Sequence, residues 1–239
     1  MRRLDETLMA MNLQTWLEYL WGWLMRSDIE KIFYEGDHPI CQKWAHYFEI
    51  YEENFSFIRG RACTFMEIGV SQGGSVSMWK QYFGPQARII GVDINPDATR
   101  FADDQVEIVI GDQEDIEFLR NIASQYGPFD AVLDDGGHTM IQQINTFKEI
   151  YPFVKEGGAY LCEDVHTSYH AEFGGGLMRS DSFIEFMKAA IDDLHSWYHA
   201  PAVQENSLAR TTKSICFYDS IVALRKKAFS GPQYVEAGR

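Results

Sequence analysis

Two apolar runs of this chain end in carboxylates. Phe129-Asp-Ala-Val-Leu-Asp134-Asp135-Gly-Gly-His138 reads as a strand that runs out into two aspartates and a histidine, and Gly158-Ala-Tyr-Leu-Cys-Glu163-Asp164 as a second strand ending in two acids. If these strands are parallel neighbours, their ends meet in the crevice beyond the carboxyl edge of the sheet, where open α/β sheets bind ligands. Asp135, Glu163 and Asp164 then converge on a small volume. Three carboxylates in a half-buried crevice repel one another unless a cation or shared protons neutralise them. An all-oxygen set selects a hard ion, Mg²⁺ or else Mn²⁺ or Ca²⁺, over zinc. His138 falls one turn beyond Asp135, at the expected start of the next helix, within reach of a hydroxyl bound to such an ion. Its plain alternative is a capping or surface histidine.

A second constellation precedes this one. Glu67-Ile-Gly69-Val-Ser71-Gln72-Gly73-Gly74 ends an earlier strand and opens a helix near Ser75. Glycines there let the backbone turn sharply and approach a ligand that faces the helix N-terminus. The spacing acidic-x-Gly-x-x-x-Gly differs from the dinucleotide pattern Gly-x-Gly-x-x-Gly and suits an amino-acid tail and a sulfonium, with no pyrophosphate to cradle. The next strand ends at Gly91-Val-Asp93, where a carboxylate can take both hydroxyls of a ribose. The third leads into Gly111-Asp112-Gln113, where an aspartate can accept from the exocyclic amine of adenine. Helix capping explains Asp93 or Asp112 singly, but not the glycine loop ahead of them.

These residues need a frame. From Thr64 onward, apolar runs alternate with helical patterns, which predicts a parallel sheet with helices on both faces. Strands are expected at Thr64–Gly69, Arg88–Asp93, Val106–Ile110, Asp130–Asp134 and Ala159–Cys162. Ser214–Tyr218 and Ser220–Arg225 are too close for a crossover helix and must form an antiparallel hairpin. Five parallel strands closed by a reversed one is the α/β arrangement of class I methyltransferases, a Rossmann-like sheet. Ahead of it, helices are expected over about Glu6–Met25 and Cys41–Phe57, joined by a turn at Tyr34-Glu-Gly-Asp-His-Pro. This divides the chain into an N-terminal helical segment, residues 1–60, serving as cap or oligomerisation element, and a domain over residues 61–239.

Bulk properties narrow the function. The 239 residues carry a net charge of −14, the wrong sign for following a phosphate backbone, so nucleic acid is not an expected partner. Cys41, Cys63, Cys162 and Cys216 are far apart, without a Cys-x-x-Cys pair, and two fall in expected buried strands. They read as reduced thiols. The stretch Leu8–Met25 is apolar but interrupted by Asn12, Gln14, Thr15 and Glu18, short of the roughly 20 apolar residues of a membrane span. A cytoplasmic protein is expected. The rows Trp16, Leu20, Trp23 and Leu13, Leu17, Leu24 give the first helix a wide apolar surface, suited to burial on its own domain or to a homo-oligomer.

Asp134-Asp135-Gly-Gly-His138, Glu163-Asp164-Val-His-Thr-Ser-Tyr169 and Ile215-Cys-Phe-Tyr-Asp-Ser-Ile-Val resemble the metal-dependent sugar O-methyltransferases of macrolide and other antibiotic pathways. That family includes the mycinamicin 2''-O-methyltransferase group, rhamnosyl O-methyltransferases and cephalosporin-hydroxylase-like proteins. Lys43-Trp-Ala-His46-Tyr47-Phe-x-x-Tyr51 resembles the entrance segment of the group, so the likeness spans about residues 41–226. It implies a class I fold that binds S-adenosylmethionine and Mg²⁺. The cofactor would lie on Glu67, Gly69, Ser71, Gln72, Gly73, Asp93, Asp112, Gln113 and Asp134. The metal would lie on Asp135, Glu163 and Asp164, with His138 as general base. Gly137 departs from the family, where Ser is expected, and the Gly174-Gly-Gly176 loop, without a clear counterpart, reads as a flexible lid.

The implied reaction is methyl transfer to a hydroxyl of a sugar, on a glycosylated natural product or a nucleotide sugar. An alternative acceptor is a catechol-like phenol, whose vicinal oxygens resemble a diol. A second alternative is a non-catalytic protein that binds S-adenosylmethionine, but such a module has no use for a metal set and a base.

Overall fold

The computed structural model describes residues 26–238. The expected helix over residues 6–25, with its Trp and Leu rows, lies outside the described residues. Two helices, α1 (Asp28–Glu35) and α2 (Tyr47–Phe55), lead into β1 (Cys63–Ile68) and α3 (Gly74–Phe83). Then follow β2 (Ala87–Asp93), β3 (Val106–Ile110), α4 (Ile116–Tyr126), β4 (Phe129–Asp134), α5 (Met140–Ile150), β5 (Val154–Cys162), α6 (Phe183–Leu194), the single turn α7 (Leu208–Thr211), β6 (Thr212–Phe217) and β7 (Val222–Lys226).

The strands form one sheet in the order β3-β2-β1-β4-β5-β7-β6. The first five are parallel, and β7 runs antiparallel to both β5 and β6. This is the class I methyltransferase arrangement expected from the alternation of runs. β1, β2 and β4 read as nearly continuous apolar runs because helices cover both faces. Phe65, Ile89, Leu133 and Leu161 point to a core shared with α1, α2 and α3. Met66, Ile90, Val132 and Tyr160 point to the core under α4, α5 and α6.

Register places the functional loops. Ile68 pairs with Asp134 and Asp134 with Cys162, so β1, β4 and β5 end in one row. Backbone bonds carry the ladder one step further, from the Asp135 amide to the Ile68 carbonyl and from the Glu163 amide to the Asp134 carbonyl, each 2.9 Å. Gly69, Asp135 and Glu163 are therefore side by side just beyond the sheet edge.

Five local expectations are corrected. The helix expected over Cys41–Phe57 covers only Tyr47–Phe55, and residues 36–44 are irregular. α1 stands where no helix was expected. Its signal is Ser27-Asp-Ile-Glu30, in which the Ser27 hydroxyl accepts from the Glu30 amide. His138 does not begin a helix: Thr139 is the cap of α5, and its side chain and that of Gln142 bond reciprocally to backbone. Cys216, on the edge strand β6, is exposed, whereas Cys63 and Cys162 are buried; all four cysteines are free. Residues 174–176 are tied down, with the Gly175 and Gly176 amides bonded to His170 and Ser168 carbonyls. Among the described residues no helix is long and apolar enough to cross a membrane.

Candidate active site

The loop between β1 and α3 is built for close approach. Gly69 has φ +97°, and a Cβ there would stand 1.9 Å from the Asp135 carbonyl oxygen. Gly73, the N-cap of α3, also has positive φ, and a Cβ on it would strike the Phe101 ring. Asp93 holds this loop: its Oδ2 accepts from the amides of Val70 at 3.0 Å and Ser71 at 2.8 Å, and its Oδ1 from Asn95.

Two adjoining cavities open at the loop. One, of about 260 Å³, is lined by Gly69, Ser71, Gln72 and His138, and roofed by Ile40, Cys41 and Gln42. The other, of about 350 Å³, is lined by Asp93, Asn95, Asp112, Gln113 and Gln142. They share Gly69, Ser71, Asp135 and Gly136.

Glu67 and Asp134 line neither cavity. Glu67 is fully buried and accepts from the Ser75 hydroxyl and the Trp79 indole, tying β1 to α3. Asp134 accepts from Gln113 at 2.6 Å and Tyr160 at 3.2 Å, while the Gln113 carbonyl oxygen accepts from the Gly137 amide. Burial pushes both carboxyl groups up to about 7.

Beyond the loop lies the acidic pole. His138 Nε2 is 3.8 Å from Asp135 Oδ1 and 3.5 Å from Asp164 Oδ2, and the three residues form a cluster of potential metal ligands within 4.8 Å. The two partly exposed carboxylates fit a hard divalent cation completed by water or substrate oxygens, with the imidazole beside them. Glu163 adjoins this cluster but is otherwise engaged. Its carboxylate accepts from the Lys43 ammonium at 3.0 and 3.2 Å and from the Tyr51 hydroxyl. The same ammonium lies 2.5 Å from Asp135 Oδ2. Burial opposes charge on Lys43, but Asp135 and Glu163 outweigh it and hold the ammonium well above its usual pKa. Tyr47, one helical turn before Tyr51, donates to Asp164 Oδ1 at 2.6 Å.

The geometry thus gathers Asp135, His138, Glu163 and Asp164 at one pole. Gly69, Ser71, Gln72, Asp93, Asp112 and Gln113 surround the adjoining cavities, with Glu67, Gly73 and Asp134 in support. The sequence reading places Lys43, Tyr47 and Tyr51 in an entrance segment but gives none of them an individual role. The i, i+4 spacing of the tyrosines was a visible signal that both face one way. Three site residues other than glycine have left-handed backbone: Ser71, His138 and Asp164, with φ of 50°, 59° and 52°. Such values are uncommon outside glycine, although asparagine, aspartate and histidine adopt them more often than other residues, and they collect at functional sites.

Residues 66–165 match a family model described as a methyltransferase domain. The chain is 32% identical over 195 residues to 8-demethyl-8-(2-methoxy-alpha-L-rhamnosyl)-tetracenomycin-C 3'-O-methyltransferase of Streptomyces olivaceus, covering 77% of this chain and 50% of the relative. It is 35% identical over 201 residues to 8-demethyl-8-alpha-L-rhamnosyl tetracenomycin-C 2'-O-methyltransferase of the same organism, covering 79% and 53%. The chain therefore spans about half the length of these relatives. Among solved structures, the MycE methyltransferase from the mycinamycin biosynthetic pathway, in complex with Mg, SAH and mycinamycin VI, superposes with a TM-score of 0.78 at 27% identity. The match covers 90% of this chain and 58% of that one.

Proposed function

We propose, from the match of residues 66–165 to a model described as a methyltransferase domain, that the chain is an S-adenosylmethionine- and Mg²⁺-dependent O-methyltransferase. Its acceptor in this reading is a sugar hydroxyl of a glycosylated natural product or a nucleotide sugar. The observation that carries it is the position of His138, whose Nε2 stands 3.5 Å from Asp164 and 3.8 Å from Asp135 on the wall of the cavity at the glycine loop. The relatives that methylate rhamnosyl groups support a sugar acceptor.

S-adenosylmethionine supplies an electrophilic methyl group, and Mg²⁺ supplies a Lewis acid that makes a hydroxyl more acidic. Asp135 and Asp164, with Glu163 beside them, are the residues that would hold the ion. The amides of the Gly69–Gly74 loop and the N-terminus of α3 bind the amino-acid tail. Asp93, Asp112 and Gln113 take the nucleoside end. His138 accepts the hydroxyl proton at Nε2 and, being partly exposed, returns it to solvent. Asp135 and Asp164 stabilise the imidazolium that forms. Binding donor and acceptor in fixed sites would supply the orientation an in-line transfer needs.

The reading extends to a cytoplasmic homo-oligomer that does not act on nucleic acid; the net charge of −14 supports the last point. The test is calorimetry with S-adenosylhomocysteine together with turnover of rhamnosylated acceptors, on the unmodified chain and His138→Ala. The variant is expected to bind S-adenosylhomocysteine as before and to lose about 10²- to 10⁴-fold in turnover. Unchanged turnover removes His138 as the base, and no binding to either chain removes the methyltransferase reading.

A further inference from the structure

We propose that Lys43 is a resident counter-cation of the acidic pole: its ammonium competes with a divalent ion for Asp135 and Glu163, and its displacement releases residues 36–46 from the cavity at the glycine loop. The inference rests on the reading of this pole as a divalent-ion site, and it concerns what controls loading of that site.

The Lys43 side chain is 2% exposed, and its Nζ bridges Asp135 Oδ2 and both oxygens of Glu163. A lysine buried this deeply is stable only while its partners stay ionised around it. Those partners are two of the three carboxylates at the pole. A divalent ion recruiting Asp135 and Glu163 meets the ammonium at the same two carboxylates, and two cations that close repel. The excess negative charge at the pole is thus offset in two exclusive ways, by the protein's own cation or by a bound one.

Lys43 also latches a strap. The segment before it lies on the N-terminus of α3 so closely that a Cβ on Gly74 would stand 2.3 Å from the Ile40 carbonyl oxygen. Cys41 and Gln42 line the cavity wall. At its start the strap is pinned by the His38 ring, bonded to the Phe33 and Pro39 carbonyl oxygens. Between His38 and α2 the strap is tied by the Lys43 ion pair and, at its far end, by the exposed contact of the His46 ring with the Asp219 carbonyl oxygen, so giving up the buried pair loosens the stretch that lines the cavity.

The test uses the full chain, first stripped of metal with a chelator, and Mn²⁺ as the probe, titrated by electron paramagnetic resonance without cofactor or acceptor. Lys43→Met is expected to bind Mn²⁺ at least about tenfold more tightly than the unmodified chain, because one competing cation is gone. Equal or weaker binding by the variant overturns the proposal while leaving the divalent-ion site standing. Absence of Mn²⁺ binding in both chains overturns the site itself, and the proposal with it. A second measurement needs no variant. In lysine acetylation footprinting read by mass spectrometry, Lys43 should be unreactive in chelator and reactive in saturating Mg²⁺. Lys188, whose side chain is 52% exposed, should react in both. A Lys43 that stays protected with Mg²⁺ overturns the proposal.

Discussion

Glu67 shows how differently a carboxylate can serve from what its place in a motif implies. As the acidic residue ahead of the glycine loop it was expected to touch ligand, yet it accepts from Ser75 and Trp79 at 2.8 and 2.9 Å inside the protein. Spacing reveals the strand end, but not the face on which a side chain finds donors. The same holds for Lys43, which a sequence shows as one basic residue in an aromatic stretch and the structure as the cation between two acids. Asp135, His138 and Asp164 were legible because their positions follow from strand ends alone. Burial lifts Glu67 from 4.5 to about 7, so the folded chain keeps a proton there that the unfolded chain gives up. Its contribution to stability is fully present below pH about 4.5 and is lost as pH rises through about 7. Glu67→Gln is therefore expected to shrink the loss of unfolding free energy between pH 5 and pH 8 by about 2–3 kcal/mol. Urea denaturation at the two pH values measures it, and an unchanged difference shows that Glu67 does not carry that proton.

At the scale of elements, the five parallel strands and the closing hairpin follow from the runs and their spacing. The errors have identifiable causes. β5 begins at Val154, five residues before the expected Ala159, because a register irregularity between Phe129 and Ala131 lets Lys155, Glu156 and Gly157 join a strand that no alternation marks. α2 starts six residues later than expected because Lys43 is drawn into the acidic pole, a tertiary pull that local periodicity cannot register. The tightest joint is between the glycine loop and the β4 end, where Gly69 packs against the Asp135 backbone. Gly69→Ala combines a clash at 1.9 Å with a positive φ. It is expected to cost at least about 2 kcal/mol of stability and to weaken S-adenosylhomocysteine binding about tenfold or more, by calorimetry. Wild-type affinity in that variant would show that the loop does not need this approach.

For the molecule as a whole, charge is the dominant bulk property. With 35 acidic residues against 21 basic ones, the folded chain repels itself, and salt should relieve that repulsion. Raising NaCl from about 20 to about 200 mM is expected to increase Tm by a few degrees, by differential scanning calorimetry; a decrease would mean that the ion pairs outweigh the repulsion. The left-handed backbone at Ser71, His138 and Asp164 bears on heredity and engineering. Each such residue costs about 1 kcal/mol that glycine would not. Random mutagenesis selected only for heat resistance would thus be rewarded for glycine at these three positions. Durable variants of this protein would accumulate their gains by dismantling the hydroxyl, the imidazole and the carboxylate around which the cavity is arranged, so any such selection must score turnover alongside survival.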